Sequence, residues 1–150
     1  MSTRPNLGEL EELSDADFDK EWLSLIQKAS NGGCAEAEYE YGCYLIEQEN
    51  YQDSMNLFKK SANKGLPSSQ WCYGLQLVNG VHVNKDIVKG LYYIRLAAEM
   101  RYEYAVEYLI EKYSSGCEDL EIEKNDIEVN KWKTVLSWIA EKSEEAKGAE

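Results

Sequence analysis

Histidine is almost missing from this 150-residue chain, which has only His82, and proline occurs twice, at Pro5 and Pro67. A lone histidine leaves no His-based metal set and no Ser–His or Cys–His pair beyond that one position. Two prolines leave long stretches free to be helical. The four cysteines, Cys34, Cys43, Cys72 and Cys117, are 9, 29 and 45 positions apart and form no CxxC pair. That spacing gives no zinc site and reads as reduced thiols of a cytoplasmic protein. The opening "MSTRPNLGELEEL" has no apolar h-region, and no 18-residue apolar run occurs. No secretory signal and no membrane span are therefore expected. No glycine-rich phosphate cradle follows a strand-like run, and no nucleophile, base and orienter can be assembled. No catalytic residue, cofactor or metal is expected.

Apolar residues make up 43% of the chain, enough for one folded domain that buries about 70% of its extended surface. Positive charge is scarce, with 16 Lys and Arg against 28 Asp and Glu, a net of −12. The sign is also unevenly distributed. Residues 29–58 hold six acids and no Lys or Arg, residues 59–101 hold seven bases and two acids, and residues 102–131 hold nine acids and three bases. Such a surface repels nucleic acid and favours a basic partner, with simple solubility as the alternative reading of the same charge.

"KGLYYIRLAAEM" (Lys89–Met100) places Gly90 inside a helical run and follows it two turns later with Ala97–Ala98. An interior glycine costs about 1 kcal/mol against alanine, so small residues on one face point to a closely packed neighbouring helix. The arrangement recurs. "SMNLFKKSANKG" (Ser54–Gly65) overlies Gly90–Arg101 at an offset of 36, and "WKTVLSWIAEK" (Trp132–Lys142) follows at a further 42, placing Ile139–Ala140 on the small pair. A helical segment precedes each copy: Ala35–Glu47, Pro67–Gly80 and Tyr102–Gly116, with Gly42, Gly74 and Ile110 in register at offsets of 32 and 36. Two helices per period of 32 to 42 residues mean a solenoid of helical hairpins. The lengthening falls in the joining loops: "EQEN", then "GVHVNKD", then the acidic "GCEDLEIEKND".

"YGLQLVNGVHVNKDIVKGLYYIRLAAE" (Tyr73–Glu99) resembles a Sel1-like repeat, a relative of the tetratricopeptide repeat. Tyr73–Gly74, Gly80–Val81, Lys85–Asp86, Lys89–Gly90 and Ala97–Ala98 carry the likeness, with Gly90 where that pattern has alanine. The resemblance extends over residues 35–142. It implies an all-α, right-handed α-solenoid of about three helix-hairpin repeats behind an N-terminal capping helix. The expected boundaries are a cap at 14–31, repeats at 35–65, 66–101 and 102–142, and a frayed tail at 143–150. Ser14 is the expected N-cap of the capping helix. Phe18, Trp22, Leu25, Ile26 and Ala29 are expected to bury against the first repeat.

The resemblance also implies that the first helices line a concave groove. Counted from Gly42, Gly74 and Ile110, the groove-facing residues are Glu36, Tyr39, Cys43 and Glu47 in repeat one and Ser68, Trp71, Leu75 and Asn79 in repeat two. Repeat three gives Tyr104, Glu107, Glu111 and Ser115. Tyr39, Trp71 and Tyr104 then form an aromatic line between acids, the composition of a protein-binding site. Trp71 tucked between repeats is the structural alternative. The function expected is non-catalytic binding of a basic protein segment, in the manner of an inhibitor or immunity protein, by a monomer or weak dimer. An adaptor joining two partners is the competing function, and cysteine-based redox or metal handling is a more distant one.

Overall fold

Three side chains set where the second helix of each hairpin begins. Asn50 Oδ1 accepts from the Asp53 amide at 3.5 Å, and Asp86 Oδ1 accepts from the Lys89 amide at 3.0 Å. Asn125 Oδ1 accepts from Ile127 and Glu128 at 3.1 and 3.2 Å. Each satisfies amides that have no partner within the helix. The computed structural model describes residues 15–149. Its helices are α1 (Asp15–Asn31), α2 (Ala35–Glu47), α3 (Tyr51–Asn63), α4 (Pro67–Asn79), α5 (Ile87–Glu99), α6 (Glu103–Ser115) and α7 (Asp126–Gly148). The pairs α2–α3, α4–α5 and α6–α7 are the hairpins, stacked in chain order as an all-α solenoid behind α1.

The small residues are where the helices meet. A Cβ on Gly90 would lie 2.6 Å from Val78 Cγ2 and 2.7 Å from the Gly74 carbonyl oxygen. One on Gly74 would lie 2.9 Å from the Gly90 carbonyl oxygen. The two glycines therefore cross backbone against backbone, and Ile94, Ala97 and Ala98 beside them are fully buried. In the first hairpin the Phe58 ring fills the space over Gly42, and the Ser54 hydroxyl donates to the Gly42 carbonyl at 2.8 Å. The acidic loop after α6 is ordered by paired backbone hydrogen bonds between Cys117 and Ile122, and Leu120 plugs the core beneath it.

The third hairpin differs from the sequence register. Its second helix starts at Asp126, 39 residues after Ile87 rather than 42, so Val129 occupies the Gly90 place and Trp132 the Tyr93 place. Val129 and Trp132 are buried, whereas Ala140 is exposed. Aligning on a small pair misled because this seam is filled by large side chains. Helix α7 also continues to Gly148, through most of the 143–150 segment expected to fray.

Helix α1 lies where a capping helix was expected, but it is rotated. Ser30 is buried and Leu23, Ile26 and Gln27 are partly buried, with Gln27 Nε2 donating to the Tyr41 hydroxyl at 3.1 Å. Phe18 (44% exposed), Trp22 (36%) and Leu25 (40%) face outward, and Ala29 is exposed with them. The turn through Gly33 fixes that rotation: Cys34 N–H donates to Ala29 O at 3.1 Å, and Gly33 N–H to Ser30 O at 2.9 Å. The expected cap at Ser14 lies outside the described residues.

Candidate functional site: the face of the first helices

The first helices α2, α4 and α6 are neighbours along the solenoid, and their side chains meet. Tyr39 on α2 packs against Phe58 with centroids 5.7 Å apart. Its hydroxyl lies in the field of Cys43, of Cys72 on α4 and of Tyr102 at the start of α6. Burial is the main cause that pushes the Tyr39 phenol well above its ordinary range, and it pushes the Cys72 thiol up to about 11. Burial raises the Cys43 thiol as well, so all three groups stay neutral and neither thiol is an activated nucleophile. Trp71 lies 5.5 Å from Tyr108, edge-on, and 6.5 Å from Tyr102, and Tyr102 lies 5.8 Å from Tyr104. A continuous aromatic and thiol floor thus crosses all three hairpins.

None of the twelve expected groove-facing residues is buried. Glu36, Glu47, Asn79, Tyr104, Glu107, Glu111 and Ser115 are exposed, and Tyr39, Cys43, Ser68, Trp71 and Leu75 are half-buried. Trp71 is half-buried at the junction of the second and third hairpins, against Tyr102 and Tyr108. Reasoning from sequence missed Cys72, Tyr102 and Tyr108. Cys72 and Tyr108 share one column with Glu40, two residues before Gly42, Gly74 and Ile110, and that column held the signal.

Charge is segregated between the two helix sets. Helices α2, α4 and α6 carry seven acids (Glu36, Glu38, Glu40, Glu47, Glu103, Glu107, Glu111) and Lys112, so 1 − 7 = −6. Helices α3, α5 and α7 carry eight bases and seven acids, so 8 − 7 = +1. Helix α4, in the middle, has no charge at all. Buried Glu38 is neutralised by the Lys64 ammonium, which also donates to the Gly33 carbonyl at 2.8 Å. The arrangement is a neutral aromatic strip bordered by carboxylates. Among the described residues no group of three or more His, Cys, Asp or Glu is placed to hold a metal ion, and no helix is long and apolar enough to cross a membrane.

The fold and this face define a helical-repeat solenoid, an architecture whose stacked units present extended surfaces to other proteins. No protein-family model matches the sequence, and no curated protein does. Solved structures do match. One is a protective antigen of uropathogenic Escherichia coli strains displaying an SLR fold, with 24% identity and a TM-score of 0.66 over 77% of this chain. Another is a Sel1 repeat protein from Oxalobacter formigenes, with 20% identity and a TM-score of 0.71 over 80% of this chain. This chain spans 25% and 50% of their respective lengths. The chain has the Sel1-like repeat fold.

Proposed function

We propose that the protein is a non-catalytic, cytoplasmic binding protein that holds a basic segment of another protein along the face of α2, α4 and α6. The observation that supports this most is the segregation of charge, −6 on the first helices against +1 on the second, around an aromatic strip. Tyr39, Trp71 and Tyr104 supply apolar anchors that bury area at low entropic cost. Glu36, Glu47, Glu107 and Glu111 border them and steer Lys or Arg into place, and Leu75, Asn79 and Cys43 line the strip between. Retention of one basic partner would make the protein an inhibitor or immunity protein for that partner. An adaptor needs two standard interfaces of about 800 Å² on each side, for which three hairpins leave little room.

Co-purification of the tagged chain from its native cytoplasm tests this. One stoichiometric basic protein that elutes with rising salt is the expected result. Several unrelated partners would establish the adaptor instead, and a partner of acidic character would overturn the proposal.

A further inference from the structure

Helix α1 ends in the same way as α3, the second helix of the first hairpin, and no helix precedes it among the described residues. Asn31 and Gly33 stand 32 residues before Asn63 and Gly65, and both glycines are left-handed, with φ of 88° and 93°. In that register Ile26 matches Phe58 and Ala29 matches Ser61. Phe58 and Ser61 lie against the first helix of their own hairpin, where the Ser61 hydroxyl donates to the Ala35 carbonyl at 2.9 Å. On α1 the corresponding side is open at Ala29 while Ile26 at its edge is partly buried, and exposed Phe18, Trp22 and Leu25 extend the open strip.

The spacing identifies what fits there. Steps of four, three and four residues, from Phe18 through Trp22 and Leu25 to Ala29, are those of a coiled-coil seam, which seats another α-helix. We propose that the occupant is a second copy of this chain, with α1 packed antiparallel on α1 about a two-fold axis between Leu23 and Ser24. Phe18 then faces Ala29 of the second copy, and Trp22 faces Leu25, so all four layers close and the largest ring meets the smallest residue. The flanking charges agree. Exposed Glu21 and Lys28 lie on the solvent side of the seam, and the antiparallel arrangement sets Glu21 of one copy beside Lys28 of the other, twice per dimer. The antiparallel helix dipoles also favour this pairing. A seam of only four layers, opposed by a net charge of −12 on each chain, holds weakly, with a dissociation constant in the range of roughly 10–100 µM. Trp22 borders a cleft with Tyr44 and Glu47 of α2, so the seam adjoins the α2 end of the first-helix face and leaves its α4 and α6 parts free.

Sedimentation equilibrium of the full chain from about 1 to about 200 µM tests the proposal, with circular dichroism confirming that each variant keeps its helix content. The mass should rise towards that of a dimer across this range. Leu25→Asp, at a site already exposed, should weaken self-association at least about tenfold by placing a charge in the seam. Lys28→Glu should weaken it about threefold, and Glu21→Lys with Lys28→Glu should restore it. A dimer that Leu25→Asp leaves unchanged would overturn the proposal. So would a chain that remains monomeric throughout, which would give the face to the chain's own N-terminal segment or to a helix of another protein.

Discussion

Replacing Gly90 by alanine sets two effects of opposite sign against each other. In an exposed helix the change gains about 1 kcal/mol from backbone entropy. Here the new methyl would lie 2.7 Å from the Gly74 carbonyl oxygen and 2.9 Å from the Val78 nitrogen, both backbone atoms of α4. A comfortable carbon–oxygen contact is about 3.3 Å, so the two helices must part by roughly 0.6 Å. A gap of that size forfeits a quarter or more of the dispersion energy along the seam that Val78, Ile94 and Ala97 fill. Overpacking of this kind costs about 1–3 kcal/mol or somewhat more, which outweighs the entropic gain. A net loss of about 2 kcal/mol lowers Tm by about 4–8 °C for a chain of this length. Gly42→Ala should cost less, because its obstacle at 2.9 Å is the Phe58 ring rather than a backbone. Thermal melts of the two variants beside the parent decide the matter. A Gly90→Ala protein that melts at or above the parent temperature would refute the close crossing of α4 and α5.

Ala98→Leu, at a fully buried site, should cost about 1–3 kcal/mol in a chemical-denaturation series and leave partner binding unchanged in the folded fraction. Trp71→Ala should lose about 1–2 kcal/mol of stability through its contacts with Tyr102 and Tyr108, and about 2 kcal/mol or more of partner affinity by calorimetry. Burial holds the Cys72 thiol up to about 11 and the Tyr108 phenol up to about 12, so both stay protonated in the folded chain where the unfolded chain ionises. The stability they supply is complete below the unfolded thiol value, about pH 9, and is lost as pH rises beyond it; melts across about pH 8–11 should show that decline. Mass-resolved alkylation should modify exposed Cys34 first and Cys72 last. Association with the basic partner should slow severalfold between about 50 and about 500 mM salt in stopped-flow traces.

Much of the solenoid was legible because helix-breaking chemistry falls at fixed places. Pro67 opens α4, Gly80 and Gly116 end first helices, and the periods of 32 and 36 match the starts of α2, α4 and α6. The caps Asn50, Asp86 and Asn125 would also have fixed the register of the third hairpin, where the search for small residues failed. The rotation of α1 was not legible. Phe18, Trp22, Leu25, Ile26 and Ala29 make a convincing apolar stripe, but hydrophobic spacing shows only that a face is to be covered, not by what. The turn at Gly33 gives α2 a different strip, Leu23, Ile26, Gln27 and Ser30, in which Gln27 and Ser30 break the apolar pattern. On the candidate face, counting along each first helix reached Tyr104 and Glu107, which are exposed. It missed Tyr102 and Tyr108, whose contact with Trp71 arises only when successive hairpins stack.

One measurement shows whether the first helices hold a basic protein segment. The affinity of the co-purified partner is determined by calorimetry for the parent chain and for a variant combining Tyr104→Ala, Glu107→Lys and Glu111→Lys. All three side chains are exposed, so the melt of the variant should match the parent within about 1 kcal/mol. One lost anchor and two reversed charges should cost at least a hundredfold in affinity, about 2.7 kcal/mol, if the segment lies on this face. A partner bound equally well by the variant would contradict it.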